Sequence, residues 1–365
     1  MAEPENKYGK SPSWYAFQRF IKNRNAFASL IFIAICFIIA LGGYIFLPDS
    51  TPEAKKQNLE LELLPPLSKI NILKIPKQEK PPQSNIISFL VSGQKSDFDE
   101  IPIQSYRVNN NRINIIPYGG GREESLSNAG VEVVSRTYLL GTDRYGRDMF
   151  SRLLLGTRVS FAVGIISVLI SLVIGICLGA MAGFFRGWAD HLILWLINVV
   201  WAIPTFLLVM AMSLVLGRGF WQVFVAVGLT MWVEVARMVR GQILSAREVD
   251  YVTAARALGF GSRRIITRHI LPNIFGPILV IAAANFASAI LLEAGLSFLG
   301  LGVQPPMPSW GVMINDHYGY IVMNSAYLAI LPGLAIMFLV LAFNLLGNGL
   351  RDALDVKISK FWFMP

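Results

Sequence analysis

The sequence predicts an all-α integral membrane protein with six transmembrane helices and an external insert between the first two. Three observations carry this. Hydrophobic residues make up 54% of the 365-residue chain and charged residues only 15%, where a soluble chain is about a quarter charged. Mean hydropathy is +0.53. Several apolar runs reach the roughly 20 residues that a helix needs to cross a hydrocarbon core about 30 Å thick. Disordered, collagen-like and disulfide-rich classes are excluded. The two cysteines, Cys36 and Cys177, lie inside apolar runs and read as small buried hydrophobes. A net charge of +9 would suggest nucleic acid in a soluble protein. Here it is topology information, and no nucleic-acid partner is expected.

The first span, residues 26–47, follows a tail of residues 1–25 and carries no charge. It exceeds the roughly 7–15-residue core of a secretory signal, and Pro48 to Pro52 offers a poor cleavage site, so it reads as retained. Residues 48–139 form an external insert and loop, 140–158 an outer-face segment, 159–348 the core, and 349–365 a tail. The second span, Val159 to Phe185, contains Gly175, Gly179 and Gly183 at spacing four, which lets a neighbouring helix approach closely. The third, Leu192 to Leu216, contains Pro204 and should kink there. The fourth runs from Phe220 to Ala236. The fifth starts at Ile274 and carries Glu293. The sixth, Tyr320 to Leu346, contains Pro332.

Orientation follows from Lys and Arg. The N-terminal tail holds Lys7, Lys10, Arg19, Lys22 and Arg24. The link between spans four and five holds seven arginines, the C-terminal tail adds Arg351, Lys357 and Lys360, and the link between spans five and six has none. Both termini therefore belong inside. Arg144, Arg147, Arg152 and Arg158 strain this topology, because they precede span two on the outer side. The stretch Pro48–Gly130 holds nine of the nineteen prolines and is expected to be partly ordered at best. Within it, Ile70–Ile75 and Asn85–Val91 are strand candidates. Deleting roughly residues 52–125 is expected to leave the membrane core folded.

The most informative stretch is the basic link VDYVTAARALGFGSRRIITRHILPNIFGP, Val249 to Pro277. Asp250 to Leu258 are good helix formers, with Val252, Ala255 and Leu258 near one face. Gly259 is a plausible helix stop and Ser262 a candidate N-cap for a second short helix. Two short helices around a glycine corner make a compact knob suited to a partner's groove. The bland reading is a positive-inside signal lying on anionic lipid.

This segment resembles the EAA motif of binding-protein-dependent ABC importer permeases: Glu-Ala-Ala, three residues, Gly, nine residues, then Ile-x-Leu-Pro. Thr253-Ala254-Ala255, Gly259 and His269-Ile270-Leu271-Pro272 meet that spacing. Thr253 replaces the Glu and His269 the first Ile. The stretches Leu140–Arg152, Gly156–Ser160 and Glu293–Gly311 resemble the second permease subunit of dipeptide and oligopeptide importers. The resemblance covers Leu140 to about Asp355, while the insert matches nothing recognised. It implies a type I ABC importer permease fold in a bacterial cell membrane. It also implies a homologous second permease, two ABC ATPase subunits, and an extracytoplasmic solute-binding protein. ATP would lie on the partner ATPases, with no cofactor on this chain. Asp250, Thr253, Ala254, Ala255, Ala257, Leu258, Gly259, Leu271 and Pro272 would then form a coupling segment, residues 249–273, that docks on the ATPases. Nickel, glutathione and oligosaccharides are alternative substrates within the family.

Glu293 reads either as a pathway or gate residue or as interfacial packing. Asn198 and Pro204 read either as lining the passage or as a helix–helix hydrogen bond and a kink, and Glu234 as an interfacial partner for Arg237 or a neighbouring chain. The three histidines, His191, His269 and His317, share no metal-ligand spacing. The chain lacks GxxxxGK[ST], GxSxG and HExxH, so neither a P-loop nor an enzyme site is expected. Other classes are a self-contained secondary transporter, disfavoured by the lack of an inverted repeat, and a membrane anchor for the insert.

Overall fold

The structure, a computed structural model, describes residues 12–78, 85–109, 112–127, 130–217 and 219–354. Lys7, Lys10, Lys357 and Lys360, used above for orientation, lie outside the described residues. In chain order the helices begin with α1 (Pro12–Lys22) and α2 (Arg24–Gly42), the latter extended by a 3-10 turn to Ile45. The insert holds β1 (Ser68–Pro76), α3 (Ile86–Ser92), β2 (Phe98–Asn109), β3 (Arg112–Pro117), β4 (Glu124–Ser127) and β5 (Glu132–Tyr138). There follow α4 (Met149–Phe185), α5 (Gly187–Trp201), α6 (Thr205–Leu216), α7 (Phe220–Ala246), α8 (Asp250–Ala257) and α9 (Ser262–Arg264). The last three are α10 (Phe275–Phe298), α11 (Trp310–His317) and α12 (Tyr327–Leu354).

Five helices are long and apolar enough to span a bilayer: Arg24–Ile45, α4, α7, α10 and α12. The pair α5 and α6 makes a sixth crossing if counted as one, but it bends by 91° between Trp201 and Thr205. The expected kink is thus a full break. Pro204 has no N–H to donate back and forces Ile203 out of helical geometry. It sits instead at the cap position of α6, with φ −54° and ψ 124°.

The chain divides into two compact units. One is built from the residues up to Ile35, Ala162–Glu293 and the residues from Ile336 on. Its central contact is between α4 and α7. A Cβ on Gly175 would lie 2.5 Å from Val235 Cβ, one on Gly179 2.5 Å from the Ala236 carbonyl, and one on Gly183 2.9 Å from the Arg240 carbonyl. The glycines at spacing four let the two backbones meet, which without a hydrophobic drive between helices is what packing in lipid requires. Ser167 donates to the Phe224 carbonyl at 2.9 Å in the same helix pair. Phe286 of α10 stacks on Phe343 of α12, ring centroids 4.0 Å apart. Arg240 of α7 grips Asp190 of α5 through two bonds of 2.5 and 2.7 Å. Arg237 lies over the Trp201 ring at 3.5 Å rather than on Glu234, which is exposed. Cys177, expected inside, faces outward on α4.

The other unit comprises Cys36–Phe161 and Ala294–Ala335. It corrects the expectation of a partly ordered insert. Five antiparallel strands form one sheet in the order β4-β3-β2-β1-β5. Ile70 to Ile75 are strand, as expected, but Asn85–Val91 becomes α3. Both faces of β1 are apolar: Ile70 and Ile72 pack with Leu61, Leu64 and Tyr138. Leu73 packs with Ile103, Ile113 and Ile115 on the other face. Glu100 lies between Lys56 at 2.5 Å and Arg136 at 3.2 Å. Burial pulls the Lys56 ammonium below its ordinary value, and Glu100 opposes that shift.

The segment after the sheet, Leu140 to Arg152, is a tight turn that holds the start of the insert. Thr142 Oγ1 accepts from Leu64 N at 2.9 Å and donates to the Leu61 carbonyl. Thr142 N donates to the Leu64 carbonyl at 3.2 Å and Leu63 N to the Asp143 carbonyl at 3.2 Å. Tyr327 Oη donates to the Leu64 carbonyl at 2.9 Å. Gly146 has a positive φ of 66°, and a Cβ there would lie 1.8 Å from the Asn58 carbonyl oxygen. Asp143 is fully buried; it accepts from the N–H groups of Tyr145 and Arg147 at 2.9 Å each, and from Arg147 Nε at 2.6 Å. Deleting residues 52–125 would strip β5 of its partner strand and take from Thr142 and the Asp143 carbonyl their partners at Leu61, Leu63 and Leu64.

This network yields a prediction. Asp143→Asn breaks a buried ion pair, which costs about 3–5 kcal/mol. The variant should melt well below the wild type when heated in detergent and followed by size-exclusion chromatography. Equal melting temperatures would show that the turn is held by backbone bonds alone.

Candidate functional site

Between α7 and α10 the chain leaves the bundle and returns, and this excursion carries the motif residues. Val249, extended, starts α8, with Asp250 in the first turn, where a carboxylate complements the helix dipole. Thr253 Oγ1 donates to the Asp250 carbonyl at 2.8 Å, so its hydroxyl is turned onto its own helix. Val252 and Ala255 are buried in a cluster with Phe184, Val239, Ile243, Ile265 and Ile270. Asp250, Thr253, Ala254 and Ala257 line the opposite, exposed side. Leu258, expected beside Val252 and Ala255, is 73% exposed. It is the cap residue with non-helical geometry, so its side chain leaves the buried stripe.

The end of α8 is a Schellman motif. Phe260 N donates to the Ala255 carbonyl at 3.1 Å and Gly259 N to the Arg256 carbonyl at 2.9 Å. Gly259 has φ +76°, and a Cβ there would meet nothing within 4 Å. The demand for glycine is therefore conformational, not steric. The second helix begins one residue earlier than a Ser262 cap would place it, with Gly261 at the cap. It runs through α9 into a π turn, Ile265–Ile270, closed by Leu271 N on the Ile266 carbonyl at 2.9 Å. Phe260 stacks on His269 with centroids 5.8 Å apart, and Arg264 covers the Phe260 ring at 4.2 Å. His269, one of the two departures from the motif, thus closes the glycine corner against the π turn. Leu271 packs on the buried cluster and Pro272 is exposed. Both line an apolar cavity of about 590 Å³ with Leu172, Ile176, Phe275 and Ile278.

Two further anchors hold the excursion to α4. Arg247 Nη1 donates to the Phe184 carbonyl at 2.7 Å, and Arg256 sits 5.2 Å from the Phe184 ring centroid. The result is a small-residue surface on a rigid base, fringed by the exposed cations Arg263, Arg264 and Arg268. Phe260 and the Arg247 anchor were not singled out in the sequence; an aromatic beside the glycine corner was the available signal. The other candidates lie elsewhere. Asn198 and Pro204 flank the break between α5 and α6, both exposed. Glu293 is 1% exposed within α10, so it sits inside the protein and not at an open interface.

Comparison with known proteins bears on this geometry. Residues 175–360 match the family described as binding-protein-dependent transport system inner membrane component. The chain belongs to this family. Residues 11–66 also match the N-terminal transmembrane domain of oligopeptide transport permease C. The permease is 46% identical over 225 residues to the glutathione transport system permease protein GsiD of Pectobacterium atrosepticum, covering 62% of this chain and 74% of that protein. It is 44% identical over 222 residues to the di/tripeptide transport system permease protein DppC of Pseudomonas aeruginosa, covering 61% and 73%. Dipeptide permease DppC of Alkalihalophilus pseudofirmus is 41% identical over 225 residues, covering 62% and 74%. The permease is thus a multi-pass inner-membrane subunit of an ABC importer of type I fold, a system that includes ATPases and a binding protein. Residues 67–174, with the sheet and the Leu140–Arg152 turn, fall between the two matched regions.

Gly259 gives a two-sided prediction. A β-branched residue at positive φ is strained by about 1–2 kcal/mol, whereas Asn reaches that region more readily. Gly259→Val should reduce the ATPase subunits recovered with the affinity-purified permease by about tenfold, and Gly259→Asn should retain most of them. Equal recovery for both variants would remove the conformational role of this turn.

Proposed function

We propose that the permease forms half of the translocation pathway of an ATP-driven importer of dipeptides and oligopeptides. A homologous permease supplies the other half, two ATPase subunits sit beneath, and the solute-binding protein delivers peptide from outside. Both termini and α8 face the cytoplasm, as the arginine-rich link between α7 and α10 supports. The chain itself is not catalytic, and ATP is bound on the partner ATPases. The observation that carries this reading is the exposed face of α8, with Ala254, Ala257 and Leu258, on a base locked by Val252, Ala255 and the Gly259 corner. Asp250, Thr253 and Pro272 border that face, and Leu271 fixes its far end to the core. Closure of the ATPases moves this knob, and α7 and α10, joined to its two ends, carry the movement into the membrane. Glu293, Asn198 and Pro204 are assigned to the pathway or its gate.

A glutathione importer is the second reading, favoured by the 46% identity to a glutathione permease. Glutathione is itself a tripeptide, so the two readings share a substrate chemistry. The test is uptake of labelled dipeptide and labelled glutathione by vesicles holding all subunits. Competition of one by the other, in either direction, ranks the two substrates, and failure to take up either removes the proposal. The chain purified without partners should hydrolyse no ATP. Leu258→Asp, which places a charge on the exposed apolar tip, should abolish uptake while the protein still inserts. ATP hydrolysis by the lone chain, or normal uptake by Leu258→Asp, would contradict the assignment of roles.

A further inference from the structure

In the unit that carries the insert, three arginines meet two carboxylates beside an open cavity. Arg144 Nη2 pairs with Asp316 Oδ1 at 3.0 Å, and Arg147 Nε with Asp143 Oδ2 at 2.6 Å. Arg152 is left over. Its Nε is 3.8 Å from Asp143 Oδ2, outside hydrogen-bond reach, and its Nη1 has no hydrogen-bond partner. Arg147 Nη2 likewise lacks one and lies 3.6 Å from Asp316 Oδ2. The side chains of Arg147 and Arg152 are only 7% and 2% exposed. The nearby carboxylates Asp148 and Asp49 direct their oxygens to Ser151 and to Thr51. Burial pulls the imidazole of His317, at the end of α11, below its ordinary range.

A guanidinium does not give up its charge, and burying one short of hydrogen bonds is strongly unfavourable. The same two arginines line a cavity of about 490 Å³, within the range of small-molecule sites. Exposed Lys55 stands at its rim, and Pro306, Met307 and Val312 form an apolar wall. We propose that this cavity binds the free carboxylate of the transported peptide, which completes the hydrogen bonding of Arg152 and Arg147. A guanidinium fork meets a carboxylate in two parallel bonds, and the apolar wall accommodates the neighbouring side chain. The cations line a concavity, together with Asp316, which favours a small ligand over an acidic loop of a docking protein. The inference rests on the peptide-importer reading for its ligand. On that reading the cavity lies on the side from which peptide arrives.

The experiment uses the assembled permease and ATPase complex in lipid nanodiscs without binding protein. Binding of trialanine is compared with that of trialanine amide, which lacks the carboxylate. The free acid should bind about tenfold tighter, as a hydrogen-bonded charge pair implies, and Arg152→Gln should erase the difference. Lys55→Glu, at an exposed site that does not endanger folding, should weaken the acid several-fold and leave the amide unchanged. Equal affinity for acid and amide in the wild type overturns the proposal. So does undiminished discrimination in Arg152→Gln or, if that variant fails to assemble, unchanged acid binding by Lys55→Glu. Peptide uptake measured on the same complex separates the two readings. Discrimination without uptake keeps the carboxylate site and removes the peptide importer; uptake without discrimination does the reverse.

Discussion

The close approach of α4 and α7 is the constraint on which the membrane-spanning unit depends. Three glycines remove every side chain from one stripe of α4, and the carbonyls and β-carbons of α7 fill it. The same helix pair then makes the floor under α8. Phe184 at the end of α4 and Ile243 near the end of α7 are the surface on which Val252 and Ala255 settle. A side chain at Gly183 would push α7 away from α4 and carry α8 with it. Helix packing in the bilayer and the seat of α8 are therefore one requirement.

The long apolar helices were legible because about 20 apolar residues in a row leave few alternatives. Their ends were harder to read. Reading charge as the membrane boundary starts the second span at Val159 and stops the fourth at Ala236. Both helices run further, because Arg158 finds carbonyl partners within the protein, Arg152 is buried beside Asp143, and Arg237 and Arg240 lie against Trp201 and Asp190. In the coupling segment the glycine corner was legible from spacing alone. The side taken by Leu258 was not, because it depends on the last residue abandoning helical geometry. The sheet was hidden by its prolines and by apolar runs too short to distinguish strand from helix, as Asn85–Val91 shows.

The arginines that strained the topology now have occupations. Arg158 donates to the carbonyls of Ala40, Leu90 and Val91 at 3.0, 2.6 and 2.9 Å, tying α3 to the end of α2. Arg144 and Arg147 are committed to aspartates, and Arg152 stands beside the cavity. The Leu140–Arg152 stretch thus serves the fold through Gly141, Thr142, Asp143 and Gly146, while Arg147 and Arg152 face a space that the fold leaves open. Its sequence records both demands at once, which is why a resemblance alone did not separate them.

The π turn at Ile265–Ile270 has a consequence for how such chains change length over time. A turn of this kind holds one residue more than the α-helix it interrupts. Losing a residue from an ordinary helix rotates everything downstream by about 100°. Losing one here would restore a regular helix and leave the direction of α10 as it was. Related chains whose spacing between the glycine corner and the Leu-Pro pair is one residue shorter should therefore keep the same exit into the membrane, with the wide turn gone.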